Sequence, residues 1–290
     1  MRMLLIADSG STKTHWRLVD ESGQVVAKTK TAGLNPYFLT VREIADILVD
    51  EVVPKTRDVE KVFFYGAGCG SPAKAEQMAE ALRVITARHQ PEVAGDMLGS
   101  ARSLLQDREG IACILGTGSN SCLYNGRDIA QVMPSLGFLF SDWGSGTVMS
   151  RDFIALLLQE KLPREIATDF HDTYRLGRVE VLDNIYNKPQ PNRFLASFTP
   201  FLLKHAEEPL LRSVITENFR QFFSYYVLRY PGVKPGATVS FTGSIAKNFR
   251  VYLEEVARDM DIRIEQIVQH PMEGLVHYHC VTVPALVGPR

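Results

Sequence analysis

The sequence predicts an α/β protein built from two related halves, and three observations predict it. Short apolar runs alternate with stretches that carry apolar residues at helical spacing. A strand, a glycine-and-hydroxyl turn, a second strand and a second turn occur in that order twice, about one hundred residues apart. The chain has 290 residues, which suggests two domains on a soft prior of roughly 150 residues each.

Met3 to Ala7 is an apolar run ending in a Gly/Ser/Thr cluster, which reads as a buried strand and a tight turn. Thr14 to Val19 reads as a second strand, Glu21, Ser22 and Gly23 as a turn, and Val25 to Thr31 as a third strand. Val41 to Val53 is a helix stopped by Pro54. A strand follows over Val59 to Tyr65, then a helix over Ala73 to Thr86 with Pro72 in its first turn. Glu92 to Ala94 is a short strand leading to Gly95, Asp96 and a helix that ends near Leu105. Ile111 to Leu115 then reopens the pattern. GTGSN follows, and Cys122 to Tyr124 runs into Asn125-Gly126, a strong hairpin signal. Beside LLIADSGSTKTHWRLVDESG, the stretch ACILGTGSNSCLYNGRD reads as a second copy of one unit. Ser145 to Tyr230 is mostly helical. Thr238 to Thr242 is a strand, FTGS a turn, Ile245 to Met260 a helix, Ile262 to Val268 a strand, and a short helix follows Pro271.

Composition narrows the function classes. Apolar residues are 45% and charged residues 22% of the chain, close to a soluble globular average. A formal net charge of −1 supplies no global field for nucleic acid or an anionic membrane. The apolar start breaks at Asp8, too early for a signal peptide, and no run is long enough to span a bilayer. Cys69, Cys113, Cys122 and Cys280 lack C-x-x-C spacing, so a reduced, cytoplasmic compartment is expected.

Two glycine-rich turns after strands are candidate phosphate cradles, because glycine lets backbone N–H groups approach phosphate closely. The first is Gly10, Ser11, Thr12 and Lys13; the second is Gly116, Thr117, Gly118 and Ser119, followed by Asn120. Asp8 precedes the first at a strand end, where a carboxylate suits a hard cation; closing a turn is its plainer use. A Walker A loop is absent. Gly66 to Gly70 lacks G-x-G-x-x-G spacing and reads as a structural or substrate-facing turn.

The segments IADSGSTKTHWRLVDESG, LGTGSNSCLYNG, FLFSDWGSG and FTGSIAKNF resemble, in order, motifs of the N-acetylglucosamine kinase family within the BadF/BadG/BcrA/BcrD ATPase group. The resemblance implies a duplicated RNase-H-like, actin/hexokinase-type fold of two lobes with ATP in the cleft between them. The lobes are then expected at 1–108 and 109–290, the second with a helical insertion. Under the resemblance Asp8 matches a metal-associated aspartate, Gly10 to Lys13 the first phosphate loop and Gly116 to Ser119 the second. Gly243 and Ser244 match the nucleoside loop. Asp142 matches the aspartate of a G-D-E-G-S segment in which Trp143 here replaces the glutamate; a helix cap is its other reading.

The resemblance makes Asp96 the base that deprotonates the sugar hydroxyl, against a simple helix cap. Asn35 matches a sugar contact, against a turn former before Pro36, and Thr117 is a further sugar contact. Where the family carries G-G-W-G-H, this chain has Pro134-Ser135-Leu136-Gly137-Phe138, which bears on the choice of sugar. The implied reaction uses ATP and Mg²⁺ on a small sugar. Two rivals stand beside it. One is an ATPase activator of the 2-hydroxyacyl-CoA dehydratase type, whose paired cysteines bridge an iron–sulfur cluster at a dimer interface; Cys113 and Cys122 lie around the second turn, a poor placement for that. The other is a sugar or nucleotide sensor without turnover. His277, His279 and Cys280 read as part of a terminal helix rather than a metal site. The aromatic run Phe222 to Tyr226 reads as core or as a homodimer interface.

Overall fold

The computed structural model describes residues 3–86 and 89–283. Its first sheet takes β1 (Met3–Ser9), β2 (Lys13–Asp20), β3 (Val25–Ala32), β4 (Val59–Gly66) and β5 (Glu92–Gly95), in the order β3-β2-β1-β4-β5. β1 runs antiparallel to β2 and parallel to β4, and β4 runs parallel to β5. The helices of this half are α1 (Val41–Glu51), α2 (Pro72–Leu82) and α3 (Asp96–Leu105).

The second sheet takes β6 (Glu109–Leu115), β7 (Ser119–Asn125) and β8 (Ile129–Val132), and later β9 (Ala237–Thr242) and β10 (Ile262–Val268). Its order is β10-β9-β6-β7-β8, the first sheet's order repeated strand for strand. Between β8 and β9 lie α4 (Gly146–Leu158), α5 (Arg164–Tyr174), α6 (Arg178–Tyr186), α7 (Pro191–Ala196), α8 (Thr199–Lys204) and α9 (Pro209–Phe222). Then come α10 (Ser244–Asn248), α11 (Arg250–Asp259) and, after β10, α12 (Met272–His277). The fold is thus α/β and duplicated.

β1 reads as a continuous apolar run because both its faces are covered. Leu5 and Ala7 join Trp16, Leu18 and Phe64 against Ile44 and Leu48 of α1 and Met78 and Leu82 of α2. Ile6, on the other face, joins Val19, Phe63 and Tyr65 against Met272 and Leu275 of α12. A capping box starts α1: the Thr40 side chain accepts from Glu43 N–H, and the Glu43 carboxylate accepts from Thr40 N–H at 2.8 Å.

Three expectations need correction. α2 stops at Leu82 because its end tightens into three-residue turns, with Ile85 N–H donating to the Leu82 carbonyl at 3.0 Å. The helix expected over Ile245 to Met260 is two helices, broken where Phe249 (φ −99°, ψ 23°) leaves helical geometry. Two compact units are present, residues 3–112, 124–130 and 270–283 in one and 113–123 and 131–269 in the other. The C-terminal stretch therefore groups with the first half, whereas the division at 108/109 put it in the second. Burial of Met272 and Leu275 against β1, β2 and β4 is the reason. No helix among the described residues is long and apolar enough to cross a membrane.

Candidate active site

In the first unit, the turn from Gly10 to Lys13 is closed by Gly10 N–H donating to the Lys13 carbonyl at 3.1 Å. It is seated from below by Gly33, whose N–H donates to the Thr12 carbonyl at 3.0 Å. A Cβ on Gly33 would collide with the Gly10 carbonyl and lie 2.7 Å from that of Ser11. Gly10 itself looks into open space: a Cβ there would find nothing nearer than the Lys13 carbonyl at 3.9 Å. Behind the turn, Ser9 Oγ and Thr14 Oγ1 share a hydrogen bond of 2.8 Å, and Leu34 N–H donates to Ser9 Oγ. Sequence reasoning missed this bracing, although its signal, two hydroxyl residues flanking the turn, is present in the chain.

Asp8, half-buried at the end of β1, stands opposite Tyr65 on β4 and His15 on β2. Burial, and then the nearby charge of Asp96, push its carboxyl up to about 7. Asp96 is the first residue of α3, with Gly95 rather than Asp96 at the cap position. Its Oδ1 accepts from Met97 N–H at 3.0 Å. Burial raises its carboxyl too, opposed by the backbone N–H groups of Met97 and Asp96. The cap and base readings are therefore not exclusive: the carboxylate ties down the first helical turn and still belongs to a pair with Asp8.

Asn35 lies over the Gly66 to Gly70 turn. Its Oδ1 accepts from Tyr37 N–H at 2.9 Å, and a Cβ on Gly68 (φ 84°) would strike that oxygen. On the far side of the turn, a Cβ on Gly95 would lie 3.4 Å from Gly70 Cα. The turn is tied to β1 by Ala67 N–H donating to the Ser9 carbonyl at 2.8 Å. Asp96 also acts on Cys69, whose thiol is pushed up to about 12, by burial first and that carboxylate second. Asn35, the glycine turn, Asp96 and Asp8 thus form one cluster. By sequence the glycine turn stands between a structural and a substrate-facing role; its contacts put it beside the candidate sugar and base residues.

The second unit carries a smaller cluster. Gly116 N–H donates to the Gly118 carbonyl at 2.9 Å, and a Cβ on Gly116 would meet only that carbonyl, at 4.0 Å. The start of α4 clamps the turn. Gly146 N–H donates to the Gly116 carbonyl at 2.9 Å, and Thr147 Oγ1 to the Thr117 carbonyl at 2.6 Å. Sequence reasoning missed Thr147, which looks like an ordinary helical residue.

Asp142 turns its carboxylate onto the turn, so that a Cβ on Gly118 would lie 3.1 Å from Oδ2. Burial pushes that carboxyl up to about 6, against a hydrogen bond from Ser119 N–H. Asp142 is not the helix cap: Ser145 is, accepting from Val148 N–H. Ser119 Oγ donates to the Trp143 carbonyl at 2.8 Å, and the Trp143 ring stacks on Tyr225 at 4.4 Å. Gly243 (φ 117°) presses on Leu115 just before the turn, with Ser244 exposed beside it as the first residue of α10.

Other candidates are used in packing. His279 stacks on Phe63 at 3.7 Å, and its Nε2 shares a 2.8 Å hydrogen bond with the Tyr65 hydroxyl. Of the aromatic run, Phe222, Phe223 and Tyr226 are core and Tyr225 is exposed. Among the described residues no group of three or more His, Cys, Asp or Glu side chains is placed to hold a metal ion.

The chain resembles a candidate N-acetylglucosamine kinase from Porphyromonas gingivalis, with 42% identity over 96% of this chain and 99% of that one, at a TM-score of 0.91. A candidate N-acetylglucosamine kinase from Chromobacterium violaceum shares the fold at 16% identity and a TM-score of 0.69, over 96% and 99% of the two chains. A ROK family glucokinase from Streptomyces griseus, solved with glucose and AMPPNP, shares it at 15% identity and 0.56, over 97% and 99%. No curated protein matches the chain. Residues 7–276 match the model of one family, and with the near-complete Porphyromonas likeness this shows that the chain belongs to the BadF/BadG/BcrA/BcrD ATPase family.

Proposed function

We propose that the protein is an ATP-dependent sugar kinase acting on an amino sugar, with N-acetylglucosamine the first candidate. One observation carries the reading: the Asp96 charge acts both on Asp8 and on Cys69 of the glycine turn against which Asn35 lies, on the unit that also presents the open turn at Gly10. The likeness to the Porphyromonas protein supports the choice of sugar.

In this reading the backbone N–H groups of Gly10 to Lys13 and of Gly116 to Ser119 hold the nucleotide phosphates, with Gly243 and Ser244 against the nucleoside. The Asn35 amide orients the sugar, and Thr117 is a second contact. Asp96 takes the proton of the acceptor hydroxyl as its oxygen bonds to the γ-phosphorus and the bond to the bridging oxygen breaks, leaving ADP. A carboxyl raised by burial is better matched to that exchange near neutral pH than an ordinary aspartate.

The donor set also fits Mg²⁺. That ion is commonly held by one or two carboxylates plus substrate phosphates, and Asp8 is a half-buried carboxylate disfavoured by its surroundings until a cation arrives. Asp142 is the second candidate to hold it. When bound, Mg²⁺ neutralises phosphate charge. Four free thiols support a cytoplasmic setting.

The activator reading is weakened by burial: Cys113 and Cys122 have no exposed surface, and Cys113 is pushed well above the usual thiol range. A sensor without turnover would not need both Asp8 and Asp96. The test is a coupled ADP-release screen over N-acetylglucosamine, N-acetylmannosamine, glucose and muropeptide sugars. We expect turnover on at least one, and Asp96→Asn should lower it at least about a hundredfold with the melting midpoint nearly kept. An Asn variant retaining more than half of wild-type turnover would remove Asp96 as the base, and no turnover on any sugar would favour the sensor.

A further inference from the structure

The sheet face beside the first glycine turn carries a concentration of positive charge, of which the proposed reaction uses only the Lys13 backbone. Along β2, Lys13, His15 and Arg17 share one face, and on β3 Lys30 stands directly opposite His15 and Lys28 opposite Arg17. The Arg17–Lys28 pair sets like charges directly opposite each other, which destabilises a sheet, and His15–Lys30 adds a second pair of basic groups beside it. The His270 ring, just before α12, covers His15 at a centroid distance of 4.6 Å, and His15 is buried beneath it.

The groups facing this pair are nearly all of one sign. Burial, together with the field of Lys30, Arg17 and Lys13, holds both His15 and His270 below the usual histidine range. Asp8 stands opposite His15 on β1, but it is itself held toward the neutral acid. Lys13, Arg17, Lys28 and Lys30 form no ion pair with a carboxylate among the described residues. Some surface cations elsewhere are paired, among them Lys61 with Glu92, Arg212 with Glu255 and Arg250 with Glu254.

We propose that this face is a binding site for a small phosphate-bearing anion, separate from the nucleotide phosphates assigned to the turn. Phosphate suits the site because it is a compact multivalent anion able to meet several cations at once, with Arg17 offering a planar fork and Lys30 a point charge. Bound there, it would offset the repulsion between the two strands. The alternative is that Lys28 and Lys30 only blunt an edge strand against other chains. That accounts for β3 but not for Lys13, His15 and Arg17 on the inner strand β2, nor for the ring laid over His15.

The test titrates the nucleotide-free protein with inorganic phosphate by calorimetry, against sodium chloride of equal ionic strength. It compares wild type with Lys30→Gln/His270→Gln, neither residue belonging to the proposed nucleotide or sugar contacts. Phosphate should bind wild type, and the double variant should bind it at least about tenfold more weakly while its KM for ATP stays within about twofold. Glucose 6-phosphate in the same series separates the sources. Tighter binding than inorganic phosphate, lost in the same variant, assigns the site to a phosphorylated sugar; equal binding assigns it to free phosphate. Phosphate affinity unchanged in the double variant would place any bound phosphate at the turn and overturn the proposal, as would heats no larger than those of the chloride control.

Discussion

Asp142 occupies the left-handed region (φ 58°), which aspartate tolerates better than most residues, and this turns its carboxylate onto Gly118. The cost appears in its acidity. Its folded-state value of about 6 lies above the 3.8 of an unperturbed aspartate, so folding favours the protonated form. Stability from this group is complete below about pH 4 and is lost as pH rises through about 6. The gap between those two values is worth roughly 3 kcal/mol at most. In the ligand-free protein, Asp142→Asn should therefore flatten the fall of the melting midpoint between about pH 4.5 and 7.5 and be the more stable variant at the upper end. Parallel midpoint curves for variant and wild type would show that the carboxylate is solvated instead. Residues of this kind are only half legible in a sequence. Asp142, Asp96 and Asn35 each carry both a turn or cap reading and a site reading, because what separates the two is a contact with a glycine turn distant in the chain.

Elements are more legible than the contacts between them. β10 begins and ends where its apolar and β-branched residues do, and β1 can be read because strands covered on both faces show an unbroken apolar run. The break at Phe249 is hidden because helical periodicity runs straight through it; the buried Phe249 ring and the turn of the backbone there answer to packing, not to local preference. α12 can be read as a helix but not assigned to the first unit, since the β1, β2 and β4 residues it covers lie more than two hundred positions earlier. The β9–α10 junction offers a test at this scale. Gly243 has φ 117° and no room for a Cβ, which would strike the Leu115 carbonyl at the head of the second turn. Gly243→Ala should cost on the order of 1–3 kcal/mol of stability through backbone strain. It should also raise the KM for ATP more than that for the sugar, because the displaced strand end carries the turn assigned mainly to nucleotide, with Thr117 its one proposed sugar contact. A change in both KM values by the same factor would take the junction out of the nucleotide site.

At the scale of the whole molecule, one strand order is used twice, and each copy joins its first two strands through a glycine turn with open space over its leading glycine. The copies differ in charge. Only the first turn is preceded by a carboxylate at the strand end, and burial, with Asp96 close by, pushes that carboxyl up to about 7. If both turns bind phosphate, a divalent cation should depend on the first far more than on the second. ATP alone stabilises the native chain by mass action, and a ligand at one hundred times its dissociation constant adds about 3 kcal/mol. For a chain of this size that raises the melting midpoint by several degrees. Adding Mg²⁺ should raise it further, because the cation relieves the repulsion between Asp8 and Asp96 as well as that of the phosphates. Asp8→Asn preserves shape and removes the charge. It should keep most of the stabilisation by ATP alone and lose most of the increment from Mg²⁺. The comparison is made by thermal melts at fixed free ATP, with and without Mg²⁺, at about pH 8, where Asp8 is mostly ionised. An increment of equal size in the variant would assign the cation to another carboxylate, and Asp142 would be the next to change.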